Sequence, residues 1–159
     1  MTQAATDWRS QVRDRLVSPA EAVSIIQDNQ VVWGGGWTSV PPQLCGALAA
    51  RGGELTGVKI VSFLTPYKWD TPENLQNFHV ITAYASPLDR GAVREGRMDY
   101  VPVSQFRQGI MPPGLDRFDV ALIPISPPDE EGWCSFGGGV FFSPTVVNIT
   151  PTLIGEIHP

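Results

Sequence analysis

Apolar residues follow two rhythms along this chain. Some runs are apolar at nearly every position: Gln30 to Trp33, Val58 to Leu64, Phe78 to Ala85, and Phe118 to Ser126 with Val120, Ala121, Leu122, Ile123 and Ile125. Runs of that kind suit short strands covered on both faces. Asp99 to Val103 and Thr152 to Ile157 add two further strands. Between them lie segments with helical spacing. Ser18 is followed by Pro19 and, three residues on, by Glu21, a capping box with proline in the first turn. Ala22, Val23, Ile25 and Ile26 extend that start into a predicted helix from Ser18 to Asp28.

Leu44, Leu48 and their alanines predict a second helix, stopped at Gly52-Gly53. Asp70, as cap, with Pro72 and Glu73 opens a third; Asp89 to Gly96, Ser104 to Met111 and Ser143 to Ile149 predict three more. Thr6 to Leu16 is polar and helix-compatible. Residues 1–17 therefore read as a leader helix on the surface, and 18–159 as one domain. Alternation of helix and strand predicts the α/β class: an open, mostly parallel sheet with helices on both faces and right-handed crossovers.

Composition narrows the function classes. Of 159 residues, 16 are Gly and 15 are Pro, and only 17% are charged. Such a chain suggests elaborate loops and much surface hidden against a partner. The net charge of −5, without Lys/Arg clusters, argues against nucleic acid. The charged N-terminus does not read as a signal peptide, and no apolar run reaches the roughly 20 residues of a membrane span. Cys45 and Cys134 lack CxxC spacing, which argues against a disulfide framework or structural zinc and suggests a cytoplasmic setting. No metal site is expected.

In sheets of this class, ligands bind at the carboxyl ends of the strands. Two loops there are unusual. The first holds Gly34, Gly35, Gly36, Trp37, Thr38 and Pro41. Its glycines allow close backbone approach to a ligand, and the helix that follows offers its positive end to an anion. The alternative is that the glycines only make a tight turn. The spacing Gly34-x-Gly36-x-x-Ser39 lacks the third glycine of a dinucleotide fingerprint, no acid ends the second strand, and no P-loop occurs. The second loop, Ser126 to Gly139, holds Pro128, Trp133, Cys134, Phe136, Gly137 and Gly138. Together the loops are expected to form one glycine-lined cleft edged by Trp37, Trp133 and Phe136, suited to a flat or acyl-bearing ligand. A side chain added at Gly35 is expected to intrude into that cleft.

Other residues carry less. Asp129, Glu130 and Glu131 read as a solvated turn, His79 as a core or edge histidine, and Cys45 as core. Cys134 has no basic neighbour to activate its thiol. Arg90, Arg94 and Arg97, around Glu95 and Asp99, suit either an anion or an exposed helix with ion pairs. No Ser-His-Asp or HxxxH pattern appears.

The capped helix, the strand and the Gly34-Gly35-Gly36 run before a prolyl helix start resemble the N-terminal half of class I CoA-transferases, in their acetyl-CoA hydrolase/transferase branch. So do the stretches Gly91 to Val103 (GAVREGRMDYVPV) and Asp119 to Gly137 (DVALIPISPPDEEGWCSFG). The resemblance covers residues 18–157. It implies a CoA-transferase N-terminal-domain fold, a coenzyme A thioester as substrate with no tightly bound cofactor, and a glutamate that attacks the acyl-CoA in a covalent relay. In the family that glutamate lies in the second half; neither Glu95-Gly96 nor Glu131-Gly132 occupies its segment. No catalytic residue is therefore assigned, and the two loops are left as a wall of the acyl pocket.

The resemblance leaves two readings. One is an N-terminal-type subunit of a split enzyme, inactive alone, whose partner chain brings the glutamate and most CoA contacts. The other is a non-catalytic or repurposed subunit of a complex acting on acyl thioesters. A stand-alone small-molecule binding module is a third possibility from another class.

Overall fold

The structure, a computed structural model, describes residues 7–103, 115 and 117–158. Among these residues, six strands form one sheet: β1 (Val31–Gly36), β2 (Lys59–Phe63), β3 (His79–Thr82), β4 (Asp99–Tyr100), β5 (Val120–Ile125) and β6 (Thr152–Ile157). Their order is β4-β3-β2-β1-β5-β6, and every neighbouring pair is parallel. The expected open parallel sheet is therefore present.

Strand alternation sends successive side chains to opposite faces. Val32, Ile60, Val80, Val120, Leu122 and Ile154 meet α2 (Pro19–Val23), α3 (Pro42–Ala50), α4 (Pro72–Asn77) and α5 (Arg90–Arg94) through Val23, Leu48, Leu75 and Ala92. Trp33, Val61, Phe63, Ala121 and Ile123 meet α6 (Ser143–Ile149) through Val146 on the other face. Trp33 anchors that second face, with Phe63 at 5.2 Å edge-to-face and Phe118 at 5.4 Å.

Several local expectations change. The described part of the leader, residues 7–17, contains only a four-residue helix, α1 (Trp8–Gln11), and a 3₁₀ turn, Arg13–Arg15. The Ser18 side chain caps α2 through the Glu21 amide, as the capping pattern requires, but the helix stops at Val23 rather than Asp28. Three contacts explain the early stop. Ser24 bonds back to the Glu21 carbonyl, Arg51 takes the carbonyls of Val23 and Ile26, and Asn29 turns the chain with φ of 61°. Thr71, not Asp70, caps α4 through the Asn74 amide, because Asp70 is drawn to Arg97. Strand β4 is shorter than the Asp99 to Val103 run. The helix expected over Ser104 to Met111 lies outside the described residues.

The largest revision is at the glycines. Gly34, Gly35 and Gly36 lie inside β1 and are buried. Trp33 pairs with Val61 and Gly36 with Phe63, so two residues of β1 oppose the single Ser62 of β2. This is a β-bulge, and Gly35 takes its left-handed position at φ +87°. A Cβ there would sit 2.3 Å from the Ser39 carbonyl oxygen. Gly35 is thus required by the backbone, and a side chain there strikes the chain itself rather than protruding into a cleft.

Candidate functional site

The strand order reverses between β1 and β5. The chain leaves β1 toward α3 on one face and leaves β5 toward α6 on the other. Such a switch point is where α/β sheets open a crevice at their carboxyl ends. Both glycine-rich loops start there, as expected from the strand reading.

The loops touch at three levels. Deepest, Gly36 leaves room for a ring from the second loop: a Cβ on Gly36 would lie 2.9 Å from Phe141 Cε1. Above it, Gly139 packs on Ser39, where a Cβ would come within 3.1 Å of the Ser39 Cα. At the surface, the Thr38 hydroxyl donates to the Gly138 carbonyl over 2.8 Å. Trp37, Leu64 and Phe141 all have positive φ, of 53°, 46° and 23°. Trp37 and Leu64 directly follow β1 and β2, and Phe141 lies against Gly36 just before α6, so three of the four left-handed non-glycine residues among the described ones gather at one rim. Strain of this kind persists only where the surroundings enforce it.

The sequence-predicted residues occupy different levels of this rim. Gly34 to Gly36 and Pro41 are buried, whereas Trp37 and Thr38 are exposed. In the second loop, Trp133 is 72% exposed, Cys134, Gly137 and Gly138 are exposed, Pro128 is buried, and Phe136 packs against the Trp33 cluster. Asp129 shapes this loop: its Oδ1 accepts the amides of Glu131 and Trp133. A groove of about 1060 Å³ runs past Pro128, Cys134 and Phe136 to β6 and the leader. The triple glycine of β1 and both exposed tryptophans lie off its walls.

The anion expected at the start of α3 is already supplied by the protein. Glu156, in β6, is 6% exposed and accepts the Leu44 amide at 2.9 Å, while its other oxygen lies 3.0 Å from His158 Nε2. A carboxylate there complements the helix end. Sequence reasoning missed Glu156. The signal was an acid at a core-facing position of an otherwise apolar strand.

The remaining candidates resolve by contact. Cys45 is fully buried beside Gly34 and Glu156, and burial first, then the Glu156 charge, pushes its thiol far up. Cys134 is also raised, by partial burial and then by Asp129. Neither thiol is set up as a nucleophile. His79 is an edge histidine, 2.6 Å from Asp99. Arg97 binds Asp70 at 2.7 Å and Glu95 at 2.7 Å, so its charge is answered within the protein. Among the described residues, no group of three or more His, Cys, Asp or Glu could hold a metal ion, and no helix is long and apolar enough to cross a membrane.

Known proteins are similar to this chain in sequence and fold. A family model described as the acetyl-CoA hydrolase/transferase N-terminal domain matches residues 1–158. The chain belongs to that family. It is similar to the 4-hydroxybutyrate coenzyme A transferase of Clostridium kluyveri, 29% identical over 96% of this chain and 36% of that protein's length. The succinyl-CoA:cyclohexane-1-carboxylate CoA transferase of Geobacter metallireducens is 26% identical over 98% of this chain and 36% of its own. The chain thus spans about a third of the length of these relatives. RipA from Yersinia pestis has the same fold, with TM-score 0.78 at 22% identity, covering 96% of this chain and 38% of RipA. A variant of the decarboxylase AibA/AibB superposes with TM-score 0.64 at 16% identity, covering 90% of this chain and 74% of its own.

Proposed function

We propose that this chain is the N-terminal-type subunit of a split CoA-transferase or acyl-CoA hydrolase, with residues 18–159 as the transferase-like domain behind the leader 1–17. In this reading the two loops form part of the acyl-thioester pocket. A partner chain supplies the attacking glutamate and most contacts to CoA, and the isolated subunit is inactive. The complex works in the cytoplasm on a small acyl-CoA.

The Thr38–Gly138 contact carries the reading, because it joins the loops after β1 and β5 into one rim at the switch point. Family membership supports the chemistry class. The fold also occurs on a comparably short chain in AibA/AibB, which makes a separate subunit reasonable. The rim's role is to present backbone and aromatic surface to the acyl group and keep water off the reacting carbonyl, which favours transfer over hydrolysis.

The test is to purify the chain alone and with the C-terminal-type chain that accompanies it, then to assay acyl exchange from an acyl-CoA to a carboxylate, and hydrolysis. Activity should need both chains and vanish when the partner's glutamate is changed to glutamine. Transfer by the lone chain would overturn the proposal. Gly138→Val probes the rim: no atom lies within 4 Å of a Cβ there, so the fold has room for it. Turnover should fall while assembly persists; unchanged kinetics would remove the loop from the pocket.

A further inference from the structure

Apolar surface gathers where the two glycine-rich loops meet. Trp37, Trp133 and Val140 are 59%, 72% and 51% exposed. Trp37 adjoins Thr38, and Trp133 and Val140 stand on either side of Gly138 in the second loop, so all three surround the Thr38–Gly138 bond. One exposed apolar side chain is ordinary; three on adjoining loops mark a contact surface.

Trp133 sits on a tip that is exposed yet fixed. Residues 129–135 are all exposed. Below them, the Ser126 amide donates to the Ser135 carbonyl and the Ser135 amide to Ser126 Oγ, which closes the base of the tip. Across it, the Asp129 amide donates to the Trp133 carbonyl and the Asp129 carboxylate accepts the Trp133 amide, each over 2.9 Å. Gly132 makes the turn between them at φ +87°. An indole held in water by a fixed loop binds at small entropic cost, because little freedom is left to lose.

Charge selects the occupant. Asp129, Glu130 and Glu131 are the chain's only run of three acids, and among the described residues none of them pairs with a Lys, Arg or His. They repel the phosphates of a CoA molecule laid against the indole. A second copy meeting tip to tip would set the same three carboxylates against each other. A protein surface with an apolar pocket rimmed by Lys and Arg suits both the indole and the acids.

We infer that Trp133 anchors the partner chain: it enters an apolar pocket, rimmed by Lys and Arg, on the C-terminal-type chain. The inference rests on the split arrangement proposed above and adds which residue carries the association and what charge it meets. The position agrees, since the partner's glutamate has to reach the rim and Trp133 shares a loop with Gly138. The base of the loop, with Phe136 and the rim, is left to face the acyl group.

Titration of the two purified chains against each other tests this. Trp133→Ala should weaken association roughly tenfold or more. Tyr100→Ala, also at an exposed aromatic but on the β4 edge, should change it less than about twofold. The double variant Glu130→Gln, Glu131→Gln should associate more slowly and depend less on salt. Undiminished affinity of the Trp133→Ala chain, or an unchanged salt dependence of the double variant, overturns the inference and leaves the split-enzyme reading standing. So does a KM for acyl-CoA that rises at saturating partner while partner affinity holds, because Trp133 would then touch substrate. A benzophenone amino acid at Glu131 gives a readout that needs no loss of the indole. Light should join it to a partner peptide containing Lys or Arg; capture of a second copy, or no capture in an assembled complex, overturns the inference. If the two chains do not associate, both readings fall.

Discussion

The Thr38 hydroxyl and the Gly138 carbonyl meet across 2.8 Å although 100 positions separate them in the sequence. This bond ties the loop after β1 to the loop after β5 at an exposed point, where water competes for both groups. Thr38→Val should therefore cost only about 0.5–1 kcal/mol of stability by chemical denaturation. Its larger effect is local: hydrogen exchange in Gly137 to Gly139 should speed up while β5 stays protected. Uniform protection would mean that Gly36–Phe141 and Gly139–Ser39 packing hold the loops without this bond.

Two glycines of the loops should respond in opposite ways. Gly35→Ala forces a side chain onto left-handed backbone and against the Ser39 carbonyl, and should cost at least about 2 kcal/mol. Gly138→Ala meets open space and should stay within about 0.5 kcal/mol of the parent. Thermal melts of the two variants check the contrast. Equal losses would contradict the bulge geometry.

Glu156 satisfies the Leu44 amide from inside the sheet. Glu156→Ala leaves that buried donor unpaired and should cost about 1–3 kcal/mol. Glu156→Gln keeps an acceptor and should recover much of the loss. If both variants lose the same amount, charge rather than the hydrogen bond is what matters there.

Asp89 is fully buried; its Oδ2 accepts the Ser86 amide and its Oδ1 has no partner. Burial, with a smaller push from Asp70, raises this carboxyl above its ordinary value, against the hydrogen bonds from Ser86. The folded state thus holds the proton more tightly than the unfolded chain. Its stabilising contribution is complete below the ordinary aspartate range and is lost as pH climbs through the raised value. Asp89→Asn should flatten the fall in stability over that acidic window, as seen in urea melts at a series of pH values. Parallel curves for parent and variant would show that Asp89 ionises normally.

The cysteines should separate by rate. Cys134 is exposed and should take up a thiol reagent in the native protein, slowly at neutral pH and faster as pH rises. Cys45 should react only after unfolding. Two equally fast thiols in the native state would contradict the burial of α3 on the sheet.

The sheet was legible because its strands are apolar on both faces: Phe118 to Ser126 announced β5, and Thr152 to Ile157 matched β6 residue for residue. The Ser18 cap was equally plain. What misled was local sequence overruled by distant partners. Nothing near Val23 says that Arg51 will take its carbonyl, and nothing near Asp70 says that Arg97 will claim it. That the two loops leave the same edge of the sheet follows from the strand runs that precede them, but the burial of Gly34 to Gly36 inside β1 does not. A triple glycine reads identically as a free loop or a bulge until the register with Ser62 is known. Glu156 stands out in the sequence as an acid on an apolar strand, but its role does not, since its partner lies 112 positions away.

Strand β1 sits in the middle of the sheet, and its first amide, on Val31, is held by the Asp119 carboxylate 88 positions later. During synthesis the ribosome releases this central strand long before its second neighbour exists. Trp33 must then wait, with Phe63 as its one aromatic partner, until Phe118 and Phe142 emerge. A nascent chain paused before residue 118 would display its most adhesive surface, so the interval between β1 and β5 is when folding helpers or premature association would act.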